Sequence, residues 1–337
     1  MEGDNPMKKL VALMLAMLLA LGVASSASAL TVAFSQIGQE SDWRTANTDD
    51  LCAGIEAEGW TLVYDDGQQK QENQIKALRN FISQDVDYIL FTGVVTTGWE
   101  EVLKEVNEAE IPLILIDRIP DCADDIDYVA AFGGDFVEEG CRMGTWAGNY
   151  FASVGRGEEE INAVILEGTT GSGPATDRTA GINEALVNYP NIKVIASQTG
   201  NFTRAEGQAV MESLLKSNPD IDLLLAENDD MAMGAIEAIK AAGKVPGQDI
   251  IIVGCDAVKT AFEAIVAGEM NATVECTPLY SQFVIEAIKN IEAGEVYDKT
   301  VIHPEEFVYD AEGGIAYTAD GSALSIKAAD VIDSRKY

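Results

Sequence analysis

The stretch TVAFSQIGQESDWR, residues 31–44, shows the unit from which the rest of the chain is built. It begins with a short apolar run, continues through a polar turn, and ends with Trp43 and Arg44 at the start of a helical pattern. The run predicts a buried strand, and the turn places an indole ring and a guanidinium just past its carboxyl end. Ligands bind at this edge of open α/β sheets, so the stretch indicates a binding site.

Residues 1–29 have the pattern of a targeting segment. Lys8 and Lys9 precede an apolar run at 10–23, and a stretch of small residues ends in Ala29. This order predicts a secretory signal peptide that is cleaved after Ala29. An uncleaved anchor is the weaker alternative, because the run is shorter than the roughly 17 residues that span a bilayer. We therefore expect a soluble, exported chain in the periplasm.

The remaining chain is long enough for two domains of common size. Its formal net charge of −34 argues against nucleic acid and anionic membranes as partners. Short apolar runs alternate with amphipathic stretches, which predicts α/β architecture with parallel sheets buried on both faces. Ten such runs suit two sheets better than one; they lie at 31–35, 61–64, 88–92, 113–116, 128–132, 163–166, 193–197, 223–226, 250–253 and 272–274.

Helix-capping residues and glycines mark the predicted boundaries of these units. Capping boxes at Thr97 and Thr203 predict helix starts, and three glycines that follow helical patterns predict helix ends; they are Gly59, Gly243 and Gly268. We place the break between the halves at Gly133-Gly134, with further crossings after residue 276 and near residue 303. The predicted domains are 30–133 plus 277–305 and 134–276 plus 306–337.

The sequence offers little for catalysis, metals or cofactors. His303 stands beside Pro304 in a predicted linker and has no evident nucleophile near it. The acidic loop 121–127 lacks the order of a calcium-binding loop. The glycine-rich stretch 168–173 lacks the residues of a phosphate cradle, so a tight turn between strand and helix is the better interpretation. We expect a chain that is not an enzyme and that holds no metal or cofactor.

Polar residues recur at the ends of several predicted strands or the starts of the next helices. Each has an ordinary alternative as a helix cap or a surface pair. Together, charged groups beside an aromatic wall favour a neutral polyhydroxylated ligand, because hydrogen bonds to charged groups are strong. The candidates are Trp43-Arg44, Asp117-Arg118, Asp177-Arg178, Asn228-Asp229-Asp230 and Asp256.

Several of these stretches resemble the type I periplasmic sugar-binding proteins of ABC transporters, in the ribose-binding-protein-like group. Within the group the likeness is greatest to galactofuranose binders, and it covers the whole chain after the signal. The stretches that carry it are FSQIGQESDWR (34–44), DDGQQKQENQIKALRNFISQDVD (65–87), VVTTGWEEVLKEVNEAEIPLILIDR (94–118), QTGNFTRAEGQAVMES (198–213) and AENDDMAMGAIEAIKAAG (226–243).

The resemblance implies two Rossmann-like lobes, joined by three hinge crossings, that close on a monosaccharide. That sugar would be galactofuranose or a similar furanose, delivered by a monomeric protein to an ABC transporter permease. Trp43 is expected to stack on the sugar ring and the other site residues to bind its hydroxyls and ring oxygen. The implied ligand-binding residues are Glu40, Trp43, Arg44, Asp117, Arg118, Arg178, Asn228 and Asp256.

The chain departs from the group's pattern at two positions. Asp42 stands where a small residue is expected, and Cys276 stands where ribose binders carry a ligand-binding Gln, which counts against ribose. Two other functions remain open. A sugar sensor that partners a chemoreceptor is the main alternative, and a glycosidase would need two carboxylates facing one bond.

The five cysteines leave disulfides as a hypothesis, because an exported chain meets oxidising conditions. Cys255 and Cys276 each end an apolar run, and Cys122 lies in the acidic loop before Cys141. Either pair could bridge, since sequence alone does not give the connectivity.

Overall fold

The computed structural model of the chain describes residues 29–296 and 299–337, so the signal assigned to 1–29 lies outside it except for its last residue. The strands in this part are β1 (Thr31–Gln36), β2 (Thr61–Asp66), β3 (Tyr88–Phe91), β4 (Leu113–Ile116), β5 (Ala130–Phe132), β6 (Ile161–Glu167), β7 (Ile192–Thr199), β8 (Leu223–Ala226), β9 (Ile251–Asp256), β10 (Ala272–Glu275), β11 (Val308–Asp310) and β12 (Ile326–Lys327). The helices are α1 (Asp42–Ala57), α2 (Gln71–Gln84), α3 (Glu100–Glu108), α4 (Phe136–Ser153), α5 (Gly173–Leu186), α6 (Arg204–Ser217), α7 (Asp229–Ala241), α8 (Lys259–Val266), α9 (Ser281–Glu292) and α10 (Ala328–Val331).

The first sheet has the order β2-β1-β3-β4-β5, and every pairing in it is parallel. Its strands are apolar on both faces, as β1 shows. Val32 and Phe34 join one core cluster, whereas Ala33 between them joins the other. Because strand side chains alternate between faces, such a strand must be covered by helices on both sides.

The second sheet has the order β12-β11-β10-β9-β8-β6-β7. Strands β6 to β10 follow the predicted apolar runs and pair in parallel. The sequence did not indicate β11 and β12, which have three and two residues. β11 pairs antiparallel with β10, so this sheet is mixed rather than wholly parallel.

The chain passes between the two sheets three times. It leaves the first sheet after β5, and it leaves the second after β10 to form α9, which packs on α1 of the first. It then returns to the second sheet as β11, after Ile302 has bridged to Phe132 of β5. These passages bring the carboxyl ends of both sets of parallel strands towards one cleft.

The capping residues predicted from the sequence are confirmed at four helix boundaries and wrong at one. Thr203 caps α6 by accepting a hydrogen bond from the Glu206 amide, and the three predicted helix-ending glycines have positive φ. Thr97 does not cap α3, which begins at Glu100 after Trp99. Gly98 has a φ of +83°, which turns the chain before the helix starts and removes Thr97 from the capping position.

The hypothesis of disulfides is not supported, because all five cysteines are free thiols in the structure. On adjacent strands Cys255 is level with Val274, so Cys276 lies two residues further along. Cys122 is buried in a core cluster of the first sheet, while Cys141 lies on α4 beside the second. Within 29–296 and 299–337, no helix is both long and apolar enough to cross a membrane.

Candidate functional site

One cavity between the two sheets is lined by all eight residues proposed from the sequence. The empty space inside its lining, part of which is open to solvent, amounts to about 290 Å³. The lining also includes four residues that the sequence did not single out as ligand contacts. The full lining is Glu40, Ser41, Trp43, Arg44, Asp117, Arg118, Pro174, Arg178, Phe202, Asn228, Asp256 and Cys276.

The polar turn after β1 supplies the first group of side chains. Ser41 caps α1 by accepting a hydrogen bond from the Arg44 amide at 3.1 Å, which fixes the first turn of the helix. Arg44 Nε donates to Glu40 Oε1 at 3.1 Å, and its Nη2 donates to Asp117 Oδ2 at 2.6 Å. All three side chains are buried.

Arg118 joins this group less tightly. Its Nη2 lies 3.5 Å from Glu40 Oε1 and its Nε 3.9 Å from Asp117 Oδ2, while Nη1 donates to the Val94 carbonyl at 3.2 Å. Burial and the adjacent Arg44 cation lower the pKa of Arg118 to about 10. For Arg44 burial also favours the neutral form, but Asp117 and Glu40 outweigh it and its pKa is raised.

The second sheet contributes a separate arginine. Arg178, on α5, donates from Nε to Glu139 Oε2 at 2.7 Å and from Nη1 to the Glu227 carbonyl, and its Nη2 lies 3.7 Å from Asp256 Oδ1. Burial raises the pKa of Asp256, although Arg178 opposes the shift. Asn228 caps α7 by accepting from the Met231 amide at 2.9 Å, and it donates to the Phe202 carbonyl at 3.1 Å.

Three buried polar atoms in this lining have no hydrogen-bond partner within the protein. They are Glu40 Oε2, Arg44 Nη1 and Arg118 Nε. An unpartnered buried group of this kind costs about 1–3 kcal/mol, so the arrangement favours a ligand that supplies both donors and acceptors. Hydroxyl groups supply both, because each has one donor and two acceptor positions.

Two aromatic rings form walls of the cavity. Trp43 is buried, its Nε1 donates to the Cys276 carbonyl at 2.6 Å, and the Arg44 guanidinium lies 4.5 Å from its ring centre. Phe202 lies beside two guanidiniums, 5.2 Å from Arg118 and 6.0 Å from Arg178. The sequence contained a signal for Phe202, because it follows β7 at the same kind of strand end.

The backbone is unusual at two lining carboxylates. Asp117 has a φ of 61° and Asp256 a φ of 117°, both in the region that side-chain-bearing residues rarely adopt. Such conformations cost about 1–3 kcal/mol each and persist where the surroundings impose them. The Asp117 amide donates to the Phe132 carbonyl at 2.7 Å, which fixes this turn after β4.

A second layer of residues contacts the lining side chains from outside the cavity. Glu139, which binds Arg178, belongs to this layer, and the sequence did not indicate it. Among the described residues, Glu139, Cys276 and Glu306 form the one group whose potential metal ligands lie within 4.8 Å of one another. Each carboxylate has at least one partner, because Arg178 binds Glu139 Oε2 and the Thr277 amide donates to Glu306 at 2.9 Å, although Glu139 Oε1 has none. We therefore interpret the group as support for the cavity wall.

Asp177 and His303 lie outside this cavity. They line a neighbouring, larger cleft, where the His303 Nδ1 is 2.9 Å from the Gly133 carbonyl oxygen. Asp117, a proposed binding residue, lines that cleft as well as the cavity.

Two α/β sheets that enclose a polar cavity at their strand ends, joined by three chain passages, define a solute-binding protein of the periplasmic type. The chain belongs to this family. The sequence profile described as "Periplasmic binding protein domain" matches residues 32–293. The chain is thus a binding protein and not an enzyme, and the predicted fold class is confirmed.

Named relatives and solved structures agree with this assignment. The chain is 44% identical to "Galactofuranose-binding protein YtfQ" of Escherichia coli K12 over 83% of this chain and 86% of that protein. A Mycobacterium smegmatis structure "in complex with Beta-D-Fucofuranose" is 46% identical with a TM-score of 0.80, covering 84% of this chain and 91% of that one. The binding component of the "arabinose ABC transporter" of Shewanella sp. ANA-3, "bound to alpha and beta-L-arabinofuranose", is 38% identical with a TM-score of 0.80, covering 91% and 95%.

Proposed function

We propose that this chain captures a monosaccharide in furanose form, galactofuranose or a close analogue, and delivers it to the permease of an ABC transporter. The observation that carries the proposal is the cavity between the two sheets, in which buried arginine and carboxylate groups face one another beside two aromatic rings. The three unpartnered polar atoms match the hydroxyls and ring oxygen of a sugar.

The choice of a furanose rests on relatives. The solved structures at 46% and 38% identity hold fucofuranose and arabinofuranose, and the relative at 44% identity is named for galactofuranose. The names of the relatives describe transport and binding, so the sensor alternative is not favoured. Cys276 lines the cavity, and its thiol is a weak hydrogen-bonding group, which argues against ribose.

The rest of the proposal concerns where and how the protein works. The amino-terminal signal would direct the chain to the periplasm, where it would act as a soluble monomer. We assign the lobes to 30–133 plus 277–305 and to 134–276 plus 306–337. Their closure around the sugar would present the shape that the permease recognises, with the free energy of closing included in the affinity.

A thermal-shift screen followed by calorimetry tests the proposal. Protein expressed from the full chain and purified after export is offered D-galactose, L-arabinose, D-talose and D-ribose. A ligand at about 100 times its dissociation constant stabilises the protein by ~2.7 kcal/mol, which shifts the unfolding midpoint measurably. We expect shifts with galactose or arabinose and none with ribose. NMR of bound 1-¹³C-labelled galactose then distinguishes furanose from pyranose, and a bound pyranose or an absence of any shift contradicts the proposal.

A further inference from the structure

The mouth of the cavity is crossed by contacts that centre on Asp42. Asp42 is the first residue of α1, two positions after Glu40, and it belongs to the first sheet's side of the cleft. Its amide donates to Asp230 Oδ2 at 2.7 Å, and its carboxylate Oδ2 lies 3.2 Å from Arg204 Nη2. The Thr260 hydroxyl donates to the same oxygen at 3.4 Å. Asp230, Arg204 and Thr260 all belong to helices on the second sheet's side.

Arg204 is the centre of an alternating set of charges. It pairs with Asp42 at 3.2 Å and with Asp230 at 2.9 Å, so one cation bridges two carboxylates on opposite sides of the cleft. Burial raises the pKa of Asp230, and the Asp42 charge raises it further while Arg204 opposes it. Without Arg204 the two carboxylates would face each other as like charges. The Asp42 carboxylate therefore favours closure when Arg204 is present and opposes it when Arg204 is absent.

These contacts exist only when the two sides of the cleft meet. Asp42 and Arg204 side chains are each about half exposed, at 50% and 49%, so water and salt reach the pair even in the closed form. An exposed pair contributes modestly and is screened by salt. Its position matters more than its strength, because separating the lobes to release a ligand breaks every one of these contacts.

We propose that Asp42 and Arg204 form an electrostatic latch that sets how long the closed, ligand-bound state lasts. Neither Asp42 nor Arg204 lines the cavity, so the latch changes the affinity through the dissociation rate. It deepens the proposed function and rests on it, because its readout is the binding of a sugar. In screening salt the latch weakens, so the dissociation rate of the wild-type protein rises with ionic strength.

A double-mutant cycle tests the latch, with D-galactose as the probe and stopped-flow fluorescence and calorimetry as the readouts. At low salt we expect Asp42→Ala to raise the dissociation rate about two- to fivefold, the range of an exposed ion pair. Arg204→Ala should raise it more, because it leaves Asp42 and Asp230 in repulsion. Adding Asp42→Ala to Arg204→Ala should then lower the rate or leave it unchanged.

A latch is distinguished from a structural role of Asp42 in its helix by the effect of Asp42→Ala on the dissociation rate. A latch predicts a higher rate when Arg204 is present and no increase when Arg204 is absent. A role confined to the helix would give the same loss in both backgrounds and would overturn the proposal. Asp49→Ala is the matched control, since Asp49 is an exposed carboxylate on the same helix, and it should leave the rate unchanged. Thermal unfolding without sugar identifies any variant that is merely misfolded, and Asp42→Asn then replaces Asp42→Ala.

The outcomes also separate this proposal from the one before it. Binding of galactose by the wild-type protein with rates unaffected by either substitution overturns the latch and leaves the proposed function intact. Failure of the wild-type protein to bind galactose contradicts the proposed function and removes the latch proposal with it. Loss of the salt dependence in Asp42→Ala, with binding retained, supports both.

Discussion

Asp117 has two arginines beside it, and only one holds it closely. Arg44 Nη2 is 2.6 Å from its carboxylate, whereas Arg118 Nε, the neighbour in sequence, is 3.9 Å away. The residue adjacent in sequence is therefore not the closer partner. Asp117 has a φ of 61°, a backbone conformation that residues with side chains rarely adopt. No sequence pattern predicts that backbone conformation, so the pairing of Asp117 with Arg44 could not be predicted.

Replacing Arg44 should therefore damage both the fold and the site. Arg44→Ala leaves Glu40 and Asp117 buried without their main cation, and breaking a buried pair from one side costs about 3–5 kcal/mol. We expect a loss of that size in urea unfolding, together with loss of sugar binding in calorimetry. Arg79→Ala is the control, because its pair with Glu105 is on the surface and should cost less than ~1 kcal/mol. Equal losses in the two variants would show that the Arg44 pair is not the buried support that we describe.

Phe202 is one of the four lining residues that we did not predict from the sequence, and its substitution tests the cavity wall. Its ring is 4% exposed and lies beside the guanidiniums of Arg118 and Arg178. Phe202→Leu keeps an apolar side chain but removes the cation–π contacts, each worth about 0.5–2 kcal/mol. We expect the unfolding midpoint to fall by a few degrees and sugar affinity to fall roughly tenfold by calorimetry, because Arg118 and Arg178 lose a ring that holds their guanidiniums in place. An unchanged affinity would place Phe202 outside the binding surface.

At the scale of elements, apolar runs predicted ten strands because most of these strands are buried on both faces and therefore have continuous apolar sequences. The edge strands β2 and β7 are more exposed but still carry short apolar runs. The same rule missed β11 and β12, whose three and two residues are too few to form a recognisable pattern. Strand ends were the useful signal for the site, since parallel strands finish at one edge. Residues behind that edge, such as Glu139 on α4, follow no rule that links them to it.

Glu227 stands at the junction of β8 and α7 and makes stability depend on pH. It accepts a hydrogen bond from the Gly168 amide at 2.7 Å and one from the Thr179 hydroxyl, and burial raises its pKa to about 8. Because the folded pKa exceeds the unfolded value, its contribution is complete below the unfolded pKa near 4.5 and is lost as pH rises to about 8. Stability should therefore fall across that interval.

Glu227→Gln removes this titrating group. The free energy of unfolding, measured in urea at several pH values, should therefore decline less between pH 5 and pH 8. Asp229 and Glu306, with pKa values raised by burial to about 8 and about 9, keep their share of the slope. The variant curve should therefore be less steep than that of the wild type without becoming level. An identical slope in both proteins would mean that Glu227 is ionised in the fold.

At the scale of the whole molecule, the excess of carboxylates gives salt two effects of opposite sign. The formal net charge is −34, and the charges of residues 1–29 cancel, so the charge is the same with or without that segment. Repulsion within so acidic a surface destabilises the compact state, and salt screens it. At the mouth of the cleft, by contrast, salt weakens the attraction between Asp42 and Arg204.

Raising sodium chloride from about 0.01 M to 0.5 M, which shortens the Debye length from roughly 30 Å to under 10 Å, should therefore raise the unfolding midpoint of the sugar-free protein. Relief of about 1 kcal/mol would correspond to roughly 2 °C for a chain of this size. The same salt should speed the release of sugar, because the latch acts only between closed lobes. Choline chloride serves as the control, since general screening does not depend on which cation is present. A midpoint that rises with sodium alone would show specific ion binding instead, and a midpoint that falls would mean that local ion pairs outweigh the repulsion of the whole surface.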